Sequence, residues 1–462
     1  MKQKITLLGM LLVGFSVFAQ ETNPAVTKWL QNTTTFGSYY TSGNSTPIAM
    51  TVLSNCQQVR YNSTDVYINA TGIPAYPTGI FSGDENNNSA GNQNAIYKLP
   101  LNPSQNNTGT LTATSGGNNG IFINGVSLFD YRDGVAYSAT ATNGICGGPG
   151  GPNGNPACAG GMGATQLWNR DAIPAEKLGF DCAKGHPAGT NYHHHQNPSA
   201  FKYDSTTSNT YSPICSLYDS EGLYAINPAA HSPLIGFAYD GFPIYGAYAY
   251  TNVNGTGAIA RMKSSYQLKA YVTGLRTNGP AINEVKGTQT FFKGYFKEDY
   301  EYVANPSDPT YLDEHNGRIC VTPEYPSGIY CYFTTVNADH SSAYPYVIGP
   351  TFYGNKTGAK VASAPITGLT TFLANENFIL DKTSITIFPN PTNDYITVQT
   401  DFVETDLDVF LINELGQIVK SSKILQGSTL SIIETDTLYN GIYFVKISDG
   451  KESKSFKVII NK

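Results

Sequence analysis

Apolar and polar residues alternate with a period of two along most of this chain, and patterns of helical period are short and few. Val59-Arg-Tyr61-Asn-Ser-Thr-Asp-Val66-Tyr-Ile68 reads as strand, and Gly72-Ile-Pro74-Ala-Tyr-Pro77-Thr-Gly79 as a turn-rich connector. Gly120 to Asp130 reads as two strands around Asn124-Gly125, a strong hairpin signal. Tyr224 to Gly246 is nearly free of charge except Asp240 and predicts buried strand with a tight Asp240-Gly241 turn. Short helices are expected only near Ala25–Asn32 and Pro174–Leu178. From Thr383 onward short alternating strands recur every eight to twelve residues: Ile385–Phe388, Tyr395–Val398, Leu407–Ile412, Gly441–Ile447 and Ser455–Ile460. That spacing predicts a small immunoglobulin-like β-sandwich.

Composition agrees with this texture. Charged residues make up 13% of the chain and aromatics 12%, with 32 tyrosines, 46 glycines and 26 prolines. Tyr and Thr favour strands, while Gly, Pro and Asn make turns. The expected fold is therefore all-β: a large turn-rich, sandwich-like core domain with few short helices, then the small sandwich. The aromatic content is high enough to build a core, which argues against disorder. A net charge of −6 with scattered Lys and Arg argues against a nucleic-acid partner.

The N-terminus has the layout of a secretory signal peptide: Lys2 and Lys4, an apolar run from Ile5 to Ala19, and a small-residue cleavage site at Val17-Phe18-Ala19. No other stretch approaches a membrane span, so the mature protein is expected without one. The organisation expected is a signal peptide over 1–19, a β domain over 20–365, a linker over 366–382 and the sandwich over 383–462. In an exported chain, seven cysteines favour disulfides. Sequence neighbours suggest Cys146–Cys158, Cys182–Cys215 and Cys320–Cys331, leaving Cys56 over; connectivity does not follow from sequence. Gly144 to Gly163 would then be a stapled surface loop, and Asp84 to Asn88 a solvated loop without the ligand spacing of a calcium site.

The densest chemistry lies in Cys182-Ala-Lys-Gly-His186-Pro-Ala-Gly-Thr-Asn-Tyr192-His193-His194-His195, four of the seven histidines in ten residues. If the segment is extended, His193 and His195 share one face and Tyr192 and His194 the other. An H-x-H pair presents two imidazoles to one metal ion, and His186 is placed to fold back as a third ligand. His231 and His315 are further candidates for the shell, with His340. The plainer alternative is a polar loop whose histidines only hydrogen-bond. Gly185-His186-Pro…Tyr192-His-His-His195 and His315-Asn-Gly317-Arg…Tyr330-Cys-Tyr-Phe333 look like degenerate copies of one unit. The second has lost its imidazoles, and two such units would form a pseudo-symmetric core.

Two resemblances follow from these residues. Phe388-Pro389-Asn390-Pro391, Asn413-Glu-Leu-Gly416, Asn440-Gly441-Ile-Tyr-Phe-Val-Lys446 and the terminal Lys462 resemble the type A sorting domain of the type IX secretion system of Bacteroidetes. This implies passage through the periplasm, release or attachment at the outer surface, and the type IX machinery as partner. Cys182-x-x-Gly-His186-Pro, Tyr192–His195, His231-Ser-Pro-Leu-Ile-Gly236, Asp240-Gly-Phe-Pro-Ile-Tyr-Gly246, Leu312–Arg318 and Tyr344–Gly349 resemble the YHYH domain family over about 180–350. Position 194 is His where the family string has Tyr. This resemblance implies a grouping without an established reaction.

The sequence leaves two functions open. One is an exported domain that binds Zn²⁺ or Cu²⁺ through His193 and His195, with His186, His231 and His315 completing the shell. An open coordination position would allow hydrolysis, with Asp240 or Glu314 as base. The other is a non-catalytic surface protein that binds glycans or surfaces, its histidines structural. No pair of carboxylates stands out for a glycosidase or peptidase. The small-molecule or glycan ligand is not legible.

Overall fold

The computed structural model describes residues 21–372 and 385–462, apart from 33, 42–45, 82–88, 149–166, 199–227, 401–402, 404–405, 426 and 449–452. The expected signal peptide, the Asp84–Asn88 loop and most of the Gly144–Gly163 loop lie outside these residues. The chain divides into two compact units, Met1–Phe372 and Leu373–Lys462. Both are built from strands, and the helices are short pieces such as α1 (Pro24–Thr27) and α2 (Ala172–Glu176). Among the described residues no helix is long and apolar enough to cross a membrane.

The first unit is organised around an eight-stranded sheet. Its strands are β1 (Asn118–Phe122), β2 (Ser127–Phe129), β3 (His186–Ala188), β4 (Asn191–His194), β5 (Leu234–Ala238), β6 (Pro243–Tyr245), β7 (Gly317–Cys320) and β8 (Ile329–Phe333). Their spatial order is β3-β4-β2-β1-β5-β6-β8-β7. Four antiparallel hairpins, β1–β2, β3–β4, β5–β6 and β7–β8, are joined through an antiparallel β1–β5 centre and two parallel pairs, β4–β2 and β6–β8. Local signals account for the hairpins. Asn124-Gly125 and Asp240-Gly241 turn the chain with glycine at φ +79° and +87°, a region open to glycine at no steric cost.

A five-stranded sheet, in the order Ala359–Val361, Ala95–Pro100, Asp65–Ala70, Cys56–Tyr61, Thr370–Phe372, belongs to the same unit. Two expectations are corrected here. The alternating stretch from Val59 to Ile68 is two antiparallel strands around Asn62–Thr64, because Asn62 caps the turn by accepting from the Thr64 and Asp65 amides at 2.9 Å each. The segment expected as linker from 366 contains Thr370–Phe372, which pairs with Tyr61, Arg60 and Val59. The core joins the sheets through fully buried aromatics, among them Tyr97, Phe122, Phe237, Tyr245, Phe333 and Phe352. At about 150–250 Å² buried per ring, a few such residues replace many aliphatic ones.

The second unit is a seven-stranded sandwich. One sheet holds Ile385–Phe388, Tyr395–Thr400 and Leu430–Glu434. The other holds Ile418–Ile424, Leu407–Asn413, Gly441–Ser448 and Ser453–Ile460. Alternate residues (Val409, Leu411, Val445, Ile447, Val458, Ile460) fill its core, as period-two patterning requires. The sequence missed Ile418–Ile424 and Leu430–Glu434. Asn390, between Pro389 and Pro391, is tied to the last strand: its amide donates to Lys457 O at 2.9 Å and its Oδ1 accepts from Ile459 N at 2.9 Å. Gly441 pairs with Ile460, and the Lys462 amide donates to Asn440 Oδ1 at 2.9 Å.

Candidate metal centre

β3 and β4 form a hairpin at one edge of the large sheet, closed by Gly189-Thr190 with Gly189 at φ +60°. Its register pairs His186 with His193 and Pro187 with Tyr192. A directly opposed pair has its Cβ atoms about 5 Å apart on one face, so His186 and His193 meet. His195, one residue beyond β4, shares that face through the period of two. A ring nitrogen from each of His186, His193 and His195 lies within 4.8 Å of the other two. All three side chains are at most 4% exposed. Phe129 stacks on His193 with centroids 3.9 Å apart, and Phe180 packs edge-on against His186 at 4.8 Å.

The tautomers follow from the carbonyls around the rings. His193 Nδ1 lies 2.9 Å from Asn191 O, and His195 Nδ1 is hydrogen-bonded to Asp130 O. A carbonyl only accepts, so each Nδ1 carries a proton and each neutral ring directs an Nε2 lone pair inward. These two Nε2 atoms are 3.0 Å apart, and His186 Nε2 is 3.5 Å from that of His195.

Glu176, at the end of α2, enters the same point. Its Oε2 stands 3.3 Å from His186 Nε2 and 3.2 Å from His195 Nε2. That oxygen is buried and forms no well-aligned hydrogen bond. Helix α2 is set by Asp171, whose side chain caps it by accepting from Ile173 N at 2.9 Å. The Nε2 atoms of His193 and His195 and the carboxylate oxygen offer no donor among themselves while those two rings are neutral, so they call for a cation or for a proton, which His186 Nε2 is placed to supply. Burial raises Glu176, but the close approach of His186 and His195 outweighs it and holds the carboxyl well below its usual range. Burial, then the neighbouring His195 and His186, pushes His193 well below the ordinary imidazole range.

The other face of β4 does different work. Tyr192 OH donates to Asp181, at 2.9 Å from both carboxylate oxygens. Asp181 also accepts from the amides of Gly79, Ala183 and Gly185 at 3.0–3.1 Å. His194 Nδ1 donates to Lys184 O at 3.0 Å, and its Nε2 accepts from Tyr76 OH at 3.1 Å. Burial lowers His194 to about 3. The unfolded chain takes up this proton near pH 6.5 and the folded chain only near 3, so the unfolded state binds more protons across that window. The ring's contribution to stability is complete above about pH 6.5. It is lost as pH falls toward 3, at up to about 1.4 kcal/mol per pH unit. Denaturant unfolding at pH 5 and 7 should show this slope, and His194→Gln should flatten it. An unchanged slope in that variant would assign the acid sensitivity elsewhere.

The remaining predicted residues are not part of this centre. His231 Nδ1 donates to Ser232 O at 2.7 Å, and its ring packs against Tyr245 and Tyr250. His315 is engaged with Thr351 and, at 3.7 Å, Glu314. His340 meets Tyr248 OH at 3.0 Å. Asp240 caps its own turn through Phe242 N at 3.3 Å and accepts from Tyr332 OH at 2.6 Å and Gly354 N at 2.9 Å. Neither it nor the half-exposed Glu314 faces the imidazoles, so both are withdrawn as catalytic bases. These sites diverge because the strands that carry them pair on other parts of the sheet.

Cys146 and Cys182 are disulfide-bonded; Cys158 and Cys215, their expected partners, lie outside the described residues. Cys320 and Cys331 are buried free thiols, as is Cys56, which corrects the expected third bridge. The β7–β8 register sets Cys320 opposite Ile329 and Cys331 opposite Arg318. The two are therefore diagonal neighbours, and their thiols hydrogen-bond to one another.

Comparison with known proteins places this geometry in context. A family model described as "YHYH protein" matches residues 96–344, more than half of the chain, and one described as "Secretion system C-terminal sorting domain" matches 386–461. No curated protein matches. A solved structure of PorZ, a bacterial surface component of the type-IX secretion system of Porphyromonas gingivalis, aligns at 12% identity over 92% of this chain, with a TM-score of 0.15. The alignment spans 62% of that protein, and at this score the likeness carries no argument.

Proposed function

The chain belongs to the YHYH protein family and carries a sorting domain that directs type IX secretion to the cell surface or exterior; from that premise we propose that its first unit is a secreted metal-binding domain. His186, His193, His195 and Glu176 are its ligands. The observation that carries this reading is the spacing of three imidazole nitrogens and a carboxylate oxygen. Two ligands held at 2.0–2.1 Å by one tetrahedral ion stand about 3.3 Å apart. The imidazole nitrogens are separated by 3.0 and 3.5 Å and the carboxylate oxygen lies 3.2 and 3.3 Å from two of them. The Nδ1 hydrogen bonds to Asn191 O and Asp130 O are the outer-sphere contacts that fix metal-bound imidazoles. Three imidazoles and a carboxylate suit Zn²⁺, with Cu²⁺ next. A set of four protein ligands enclosed by Phe129 and Phe180 has the character of a structural site rather than one that keeps a position for substrate.

Metal analysis of the untagged full chain tests this. About one equivalent is expected after loading with Zn²⁺ or Cu²⁺. Less than ~0.1 equivalent would mean that the imidazoles share a proton with Glu176 instead of an ion. Replacing Glu176 by Ala should weaken Zn²⁺ binding by at least the ~10–100-fold typical of outer-sphere changes, and unchanged affinity would remove Glu176 from the ligand set.

A further inference from the structure

The eight-stranded sheet of the first unit is made of two halves with the same layout, β1–β4 and β5–β8, and the correspondence runs residue by residue. β1, β2, β3 and β4 map onto β5, β6, β7 and β8 about the β1–β5 pair. At that centre, a Cβ on Gly120 would stand 2.7 Å from Phe237 O and one on Gly236 2.7 Å from Ile121 O. Asn124-Gly125 and Asp240-Gly241 make matching turns, with Val126 N bonded to Asn124 Oδ1 at 3.2 Å and Phe242 N to Asp240 Oδ1 at 3.3 Å.

Each outer hairpin is preceded by the same aspartate loop. Asp181 Oδ1 accepts from Ala183 N and Gly185 N; Asp313 Oδ1 accepts from His315 N and Gly317 N, all at 2.9–3.1 Å. Lys184 and Asn316 hold φ of +62° and +67°. Tyr192 OH donates to Asp181 and Tyr330 OH to Asp313, each at 2.9 Å. This alignment equates His186 with Arg318, His193 with Cys331, His195 with Phe333, and the pair His186↔His193 with Arg318↔Cys331.

Resting on the metal reading of the first unit, we propose that each half of its large sheet is closed by a buried cation that clamps the outer hairpin to the connector before its aspartate loop: a metal ion in the half β1–β4, the guanidinium of Arg318 in the half β5–β8. In the half β1–β4 the centre joins hairpin β3–β4 to Glu176, five residues before Asp181. In the half β5–β8, Arg318 lies over the Phe333 ring at 5.7 Å. Its NH1 donates to Pro309 O at 2.7 Å, four residues before Asp313, and its NH2 donates to Tyr250 O at 2.5 Å. Arg318 is only 8% exposed, and no carboxylate forms an ion pair with it among the described residues. Its two terminal nitrogens donate to backbone carbonyls, as a fixed ion would be held, while its buried Nε has no hydrogen-bond partner. The half β5–β8 therefore needs no metal, and the ion of the half β1–β4 is a structural clamp.

The test compares thermal unfolding of the Zn²⁺-loaded full chain, the chelated chain and Arg318→Ala, each with its metal content. Chelation should lower the midpoint of the first unit's transition. Arg318→Ala should lower it by a similar amount, about 5–10 °C, while still binding one equivalent of Zn²⁺. The two shifts should add, as for separate sites. If Arg318→Ala does not fold, Arg318→Lys serves: it keeps the charge but not the planar fork, and should show a smaller drop at full metal content. An unshifted midpoint in both variants, loss of Zn²⁺ with Arg318, or removal of Zn²⁺ without any shift would overturn the clamp. A wild-type chain that binds no metal would instead overturn the metal reading and leave the Arg318 arm as a separate result.

Discussion

The His193→Ala/His195→Ala double variant is expected to emerge from Zn²⁺ loading with less than ~0.1 equivalent of bound metal, where the parent chain holds about one. The two rings supply the closest pair of inward nitrogens, 3.0 Å apart. Removing them leaves His186 and Glu176, and two ligands do not hold an ion against solvent in a folded site. The loss should exceed ~100-fold, the upper end for outer-sphere changes. The variant should still fold, because the opposite face of β4 keeps Tyr192 on Asp181 and His194 between Lys184 and Tyr76. Inductively coupled plasma analysis gives the metal and far-ultraviolet circular dichroism the fold. A folded double variant that retains a full equivalent would place the metal elsewhere.

The largest effect on stability is expected at Asp181. Its carboxylate is 5% exposed and receives three backbone amides and the Tyr192 hydroxyl. Burial raises its pKa to about 7 while those hydrogen bonds lower it. Asp181→Ala strands these donors in a dry interior, at a cost of about 3–5 kcal/mol. Asp181→Asn keeps an acceptor and should recover much of it. Asp313→Ala, at the matching loop, should destabilise in the same way, since it strands His315 N, Gly317 N and Tyr330 OH. Chemical denaturation of the first unit measures all three. A loss under about 1 kcal/mol for Asp181→Ala would mean that water reaches these donors.

Which parts of the centre were legible depended on the range of the interaction. His193 and His195 on one face, and Tyr192 with His194 on the other, follow from the period of a strand. His186 folding back follows from Gly189-Thr190. Glu176 was not legible. The Pro174–Leu178 stretch signalled a short helix, and the structure starts it at Ala172 behind the Asp171 cap. That α2 ends against the hairpin, however, depends on contacts that no local pattern encodes. His231 and His315 failed as ligands for the same reason. For Cys320 and Cys331 the sequence neighbours do meet, but as hydrogen-bonded free thiols.

Local chemistry in the sequence determined the strands, the Asx-Gly turns, the split into a large β unit and a small sandwich, and the outlines of a repeated string. Each of these is settled within about ten residues, by side-chain period, positive φ at glycine, or an Asx side chain bonding its own backbone. Only the tertiary structure decided that the two strings stand at opposite edges of one sheet, through the parallel pairs β4–β2 and β6–β8. Parallel pairing joins strands through long crossovers whose closure leaves no periodic trace. The same long-range pairing gathers three imidazoles and a carboxylate in one half of the sheet and lays Arg318 on carbonyls in the other.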